Sequence, residues 1–260
     1  MRKKTTLRSD LGFSTPDRVG VLGYDLVRDL IGKVSLGDMG FLEIMGRLPN
    51  PRESQMFEAM LVTLVEHGIV PSTLAARLTH TGAPEAMQAA VAAGLLGLGS
   101  VFVGSTEGAA RMLATALASS KGARPAAIAT ALVDAYRAEK RILPGLGHPV
   151  HVPTDPRTTR LFAIARRTGF YGPHCALMGL VSRRATKVTG RALPVNATGA
   201  IGAIACDMGL PIEACRGIGV MARAVGLVGH VLEEMRRPIA REVWIRTEEE
   251  ASRAARGKRR

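Results

Sequence analysis

The segment Leu143–Arg157 concentrates side chains that could do chemistry. It carries His148, His151, Asp155 and Arg157, interrupted by four prolines and two glycines. A histidine exchanges a proton near neutral pH. An arginine presents a planar fork that grips a carboxylate or phosphate through two parallel hydrogen bonds. Together they suit an anionic substrate on which a proton has to move. Proline removes amide donors and glycine opens positive φ, so the stretch reads as a long ordered loop of the kind that carries function. Gly190–Gly202 is a second such segment, with Asn196 and Thr198 inside it. Arg141, Arg183, Arg184, Lys187 and Arg191 lie near the two segments in sequence, and as a cluster they suit phosphates. Gly145 and Gly147 would let backbone amides approach a ligand.

Helices must position these loops. Phe57, Met60, Leu61, Leu64 and Val65 fall on one helical face. Asn50-Pro51 marks that helix's start, Glu53 sits in its first turn, and His67-Gly68 closes it. A second helix carries Met221, Val225, Val228, Leu232 and Met235, with Gly226 and Gly229 placed to admit a neighbouring backbone. Convincing alternating strands are absent, and the fold class expected is all-α. Residues 1–18 read as a loose arm and 249–260 as a basic tail.

The chain has 260 residues, 47% hydrophobic and only 4% aromatic, which favours closely packed helices. Its net charge of +13 raises nucleic acid as a partner. No zinc-finger spacing or aromatic RNA-binding cluster accompanies it, and much of the charge sits in Arg2-Lys3-Lys4 and Arg253–Arg260, so no nucleic acid is expected. No apolar run reads as long enough to span a bilayer. Basic residues at the start are followed by no apolar secretory segment. Cys175, Cys206 and Cys215 lack metal-like spacing and read as small buried hydrophobes of a reducing, cytoplasmic compartment. No cluster calls for a metal.

Four segments in order resemble the citrate synthase superfamily, and in particular its short citryl-CoA lyase branch, related to the C-terminal module of ATP-citrate lyase. Pro144-Gly-Leu-Gly-His148-Pro-Val with Thr154-Asp155-Pro156-Arg157 is similar to the family's Gly-His-x-Val and Asp-Pro-Arg. Leu193-Pro-Val-Asn196-Ala-Thr198 is similar to its Pro-x-Asn-Val-Asp, and Glu66-His67-Gly68 to its Asp-His-Gly. Ala222-Arg223-Ala-Val-Gly226, then His230 and Glu233-Glu234, resembles its Ala-Arg-x-x-Gly, His, Glu run. The resemblance implies a large helical lobe (19–105 and 211–248) and a small one (106–210) carrying the active-site loops. It implies a homodimer or higher homo-oligomer. No tightly bound cofactor is implied; a CoA thioester is the substrate.

By resemblance Arg157 and Arg223 hold substrate carboxylates, and Arg241 is a candidate to reach across from a partner subunit. His148 contacts the keto or hydroxyl oxygen, as general acid in condensation and general base in cleavage, and His67 contacts the same substrate. Asn196 and Thr198 would face the thioester. Gly145, Gly147, Arg141, Lys187 and Arg191 would face CoA. The chain departs from the pattern twice. A family histidine falls at Phe102, and the catalytic aspartate falls at Thr198, whose hydroxyl has no accessible pKa for moving a carbon-bound proton. Asp207, nine residues on, would stand about 13 Å along a helix. Two functions follow. One is a lyase splitting a citryl-CoA-like thioester into a keto acid and a short acyl-CoA, or the reverse condensation. The other is a non-catalytic CoA-binding or regulatory homologue.

Overall fold

A computed structural model of the protein describes residues 7–257; Arg2, Lys3, Lys4 and the final residues 258–260 of the basic ends lie outside the described residues. Helix accounts for 67% of the chain, which makes the fold all-α. Eleven α-helices run among the described residues: α1 (Leu36–Met45), α2 (Pro51–Val65), α3 (Pro71–Gly82), α4 (Met87–Leu96), α5 (Gly104–Ala118), α6 (Pro125–Ala138), α7 (Pro156–Thr168), α8 (Pro173–Thr189), α9 (Ala197–Asp207), α10 (Ala214–Arg236) and α11 (Ala240–Gly257). Single π-helical turns occupy Leu26–Leu30 and Gly99–Val103.

Helix α9 is the hub. Its residues from Gly199 to Ala205 are all buried, and it packs against α5, α7, α8 and α10. It is built of Ala, Gly and Ile, so neighbouring backbones come close: a Cβ on Gly202 would stand 2.6 Å from the Thr106 carbonyl oxygen. Small side chains at a helix crossing thus do here what the low aromatic content suggests. Around α9 lies one large core, and a smaller cluster joins Ala76, Ala90, Leu227 and Val231 of α3, α4 and α10.

The helix expected from Asn50 is α2. Asn50 accepts from the Glu53 amide while Glu53 reaches back to the Asn50 amide, a reciprocal cap. The helix expected around Met221–Met235 is α10, with its glycines split in role. A Cβ on Gly226 would meet the Val65 carbonyl oxygen at 2.0 Å, whereas Gly229 faces open space. Helix α10 is also long and apolar enough by length and composition to cross a bilayer, contrary to the sequence reading. It carries Arg216, Arg223, Glu233 and Glu234, and it packs against α2, α3, α4 and α5 as a core helix does.

Two terminal stretches differ from expectation. Within the stretch read as loose, Gly12–Ser14 pairs antiparallel with Val19–Val21, which pairs in turn with Tyr24–Asp25. These strands, β1, β2 and β3, are two or three residues long, too short to show alternation. Residues 249–257 are not a tail but continue α11.

Candidate active site

Backbone pairing zips the two Gly- and Pro-rich segments together. Leu146 and Val195 form an antiparallel bridge, the Gly147 amide donates to the Pro194 carbonyl at 2.7 Å, and the Asn196 amide donates to the Gly145 carbonyl at 3.0 Å. Gly145 makes this possible. It sits at φ +81°, and a Cβ there would stand 2.5 Å from Gly199 Cα. Gly145→Ala is therefore expected to cost about 3 kcal/mol or more, from strain and backbone overlap. Thermal unfolding should show a fall of roughly 6 °C or more.

Asp155 locks the arrangement. Fully buried at the start of α7, it accepts from the Arg157 amide, from Arg157 Nε and Nη2, and from the Ala197 amide at the start of α9. Burial alone would raise its carboxyl; the Arg157 guanidinium and amide outweigh that and hold it below the usual range. One carboxylate thus aims Arg157 and joins two helix starts. Asn196 caps α9 through the Gly199 amide, and its Nδ2 donates to the Gly147 carbonyl at 2.8 Å.

A cavity of about 380 Å³ opens where these loops face α2 and α10, and His67, His148, Arg157, Arg223, Asn196 and Thr198 all line it. The ring of His67, on the turn after α2, lies 5.5 Å from that of His148, and His151 stacks on His148 at 4.4 Å. The Val150 and His151 amides both donate to His148 Nδ1, each at 3.1 Å. Two donors on Nδ1 leave the ring hydrogen on Nε2. That geometry makes neutral His148 a hydrogen-bond donor, and it opposes the base role in cleavage expected from the sequence. His67's ring has no hydrogen-bond partner among the described residues, so it has a lone pair to offer.

Among the described residues, His67, His148 and His151 also bring ligand-capable atoms within 4.8 Å of one another. A metal-bound histidine usually donates its other N–H to an acceptor. His148 shows the reverse pattern, and Arg157 and Arg223 add positive charge beside it. The arrangement suits proton handling better than holding a cation.

Burial lowers the pKa of His67, and Arg157 and Arg223 lower it further; burial and then Arg157 do the same for His148. Both rings sit below the ordinary 6.5 and are neutral at neutral pH. As pH drops below 6.5, the unfolded chain then binds more protons than the folded one. Their stabilising contribution is therefore full above that value and shrinks below it. Denaturant midpoints should decline from about pH 7.5 to about pH 5.5, and less steeply in a His67→Gln/His148→Gln double variant. Equal slopes would refute this.

The end of the cavity at Thr198 is built from hydroxyls and apolar groups. Thr198 donates to Asn196 Oδ1 at 2.8 Å and lies 3.0 Å from Ser105 Oγ. Phe102, Val101, Leu98 and Val103 form the wall. Among the described residues, Glu66 is the only carboxylate residue lining the cavity. Asp207 is committed elsewhere, accepting from the Gly172, His174 and Cys175 amides and pairing with His174 Nδ1.

Most other residues singled out from the sequence lie away from this cavity. Arg141 is exposed, paired with Glu139 and stacked over Tyr136. Lys187 and Arg191 are exposed at the end of α8 and just beyond it, and Arg241 is exposed in the first turn of α11. Gly145 is buried against α9, while Gly147 lines the cavity. The three cysteines are free, and burial raises their thiols, Cys206 to about 11 and Cys215 to about 12. Ser105 lines the site without a local pattern to mark it, and Glu66 lines it as the first residue of the Glu66-His67-Gly68 motif, for which no role was assigned.

Residues 39–246 match the family model for the citrate synthase C-terminal domain, and the chain belongs to the citrate synthase family. Within that family it is similar to citryl-CoA lyase from Hydrogenobacter thermophilus: 36% identical, TM-score 0.80, covering 90% of this chain and 88% of that one. It is 26% identical over 228 residues to ATP-citrate synthase subunit 1 of Sordaria macrospora, covering 82% of this chain and 32% of that protein. The chain thus spans about a third of the length of such curated relatives. Methanosaeta concilii ATP citrate lyase in complex with (3S)-citryl-CoA shares the fold, with a TM-score of 0.75 at 23% identity over 91% of this chain and 40% of that one.

Proposed function

We propose that this protein is a carbon–carbon lyase of the citryl-CoA type, splitting a β-hydroxyacyl-CoA with carboxylate arms into a keto acid and a short acyl-CoA. The observation that carries this reading is the convergence of His67, His148, Arg157 and Arg223 on one cavity. The arginines hold the carboxylates. His67 takes the hydroxyl proton, and the carbon–carbon bond breaks as that oxygen becomes a ketone. The bonding pair passes to the thioester enolate. His148 Nε2–H donates to the oxygen throughout, as a neutral imidazole can when its other nitrogen is held by backbone donors. Thr198 has no titratable proton for the enolate carbon, so a water held by the Thr198 and Ser105 hydroxyls protonates that carbon, and the hydroxide left behind takes the proton back from the His67 imidazolium.

We also propose the two-lobed division, a cytoplasmic setting and a homo-oligomer. The stripe Val225, Val228, Leu232 and Met235 supports self-association: it lies along one face of α10 and is exposed, as is Trp244 of α11. In such an assembly Arg241 would serve the partner's cavity.

The test is incubation with citryl-CoA, following oxaloacetate by coupled reduction. Cleavage supports the lyase. CoA binding without cleavage of citryl-CoA or other hydroxyacyl-CoA thioesters would favour the second reading, a CoA-binding regulator, which the Thr198 hydroxyl favours.

A further inference from the structure

Beside the active-site cavity, the turn that carries His67 is tied to a buried ionic network on α3 and α10. Glu66 ends α2, and its Oε1 accepts from the His67 amide at 2.9 Å and the Gly68 amide at 2.6 Å. Gly68 takes φ +69°, which lets the chain fold back over that carboxylate. His230 of α10 stands behind it, its Nε2 3.0 Å from the Glu66 carboxylate. Arg77 of α3, 1% exposed, donates to His230 Nδ1 through Nε at 3.2 Å and through Nη2 at 2.9 Å. A guanidinium can only donate, so His230 Nδ1 must accept and its hydrogen must sit on Nε2, pointing at Glu66. Arg77 is fixed in turn by Glu233 and by Glu234, which is 2.8 Å from its Nη1. Every hydrogen in this chain of contacts points one way, from Arg77 through His230 to Glu66, and the Glu66 carboxylate closes it by collecting the His67 and Gly68 amides.

We infer that Glu66 and His230 are positioning residues that fix His67 in the active-site cavity, with Arg77 setting the direction of their hydrogen bond. Glu66 is an unsuitable proton carrier for the substrate, because three donors occupy its carboxylate. Its contribution acts through the His67 turn. The inference rests on the reading of His67 as a group that meets the substrate.

The test is the ring signals of His67 in the full-length protein labelled with ¹⁵N-histidine, assigned by His67→Gln. In Glu66→Ala, the His67 ring signals should broaden and their titration midpoint should move. Glu66→Asp, which keeps the charge, should restore much of the original behaviour. His230→Gln retains an N–H donor toward Glu66 and should leave the His67 signals close to those of the unmodified protein; His230→Leu should mimic Glu66→Ala. His230→Leu leaves Nε of the buried Arg77 without an acceptor and can fail to fold, so the Glu66 variants decide: that side chain is 53% exposed and its removal leaves the core intact. Unchanged His67 signals in Glu66→Ala would overturn the inference, because a role in general stability would lower the melting temperature without moving them. Where citryl-CoA is cleaved, kcat should fall about tenfold in Glu66→Ala at unchanged CoA affinity, and an unchanged kcat would also overturn it. A wild-type protein that cleaves no citryl-CoA would count against the proposed function, and the ring signals would still decide this point.

Discussion

Replacing His148 by alanine is expected to slow citryl-CoA cleavage by about 10²- to 10³-fold with little change in KM. The ring's Nδ1 is held by two backbone amides, so its Nε2–H is aimed before substrate arrives. A preorganised donor toward an oxygen that gains charge in the transition state contributes an effect of this size. His151→Ala should cost far less, about tenfold or under. His151 reaches His148 through its backbone amide, which alanine keeps, and otherwise only stacks on the ring. Steady-state kinetics of the two variants check the assignment. Equal losses would mean that the loop, and not the His148 N–H, had been disturbed.

Arg223→Met should separate stability from binding. Nε and Nη1 of Arg223 are buried without a hydrogen-bond partner among the described residues, and burial lowers its pKa, partly offset by Glu66. An uncompensated buried charge costs stability, and methionine fills similar volume without that cost. The variant should therefore unfold later, by about 1 kcal/mol or roughly 2–4 °C. Losing one partner of a carboxylate pair costs about 2–5 kcal/mol in binding. KM should accordingly rise by about 10²- to 10³-fold. Calorimetry and kinetics on the same preparation check both signs. A variant less stable than the parent would show that Arg223 is held by the fold for its own sake.

The chemistry was more legible in the sequence than its support. His67, His148, Arg157, Asn196, Thr198 and Arg223 sit in four short motifs and meet at one cavity, because three of the motifs end or begin a helix there and the fourth, with Arg223, lies midway along α10. Helix α2 was legible to the residue through Asn50-Pro51 and Glu53, since capping is local chemistry. Helix α10 was legible as a helix, but its stripe from Val225 to Met235 faces outward. An apolar stripe fixes the phase of a helix and leaves open which side meets the core. The inward face holds Gly226, His230 and Glu234, and Glu234's partner Arg77 lies 157 residues away, which no local pattern can announce. The β1–β3 hairpins escaped notice because pairs of two or three residues have no period to detect.

Helix α9 begins at the cavity wall and then runs through the middle of the protein, enclosed by α5, α7, α8 and α10. Its amides are sealed by the layers around them, so it belongs to the last cooperative unit to open, not to a fraying edge. Asn196 and Thr198 are anchored to that unit at its first turn. Partial openings of the β1–β3 hairpins or of α11 can therefore come and go without disturbing this end of the site, and heat or denaturant will remove it only when the whole molecule gives way.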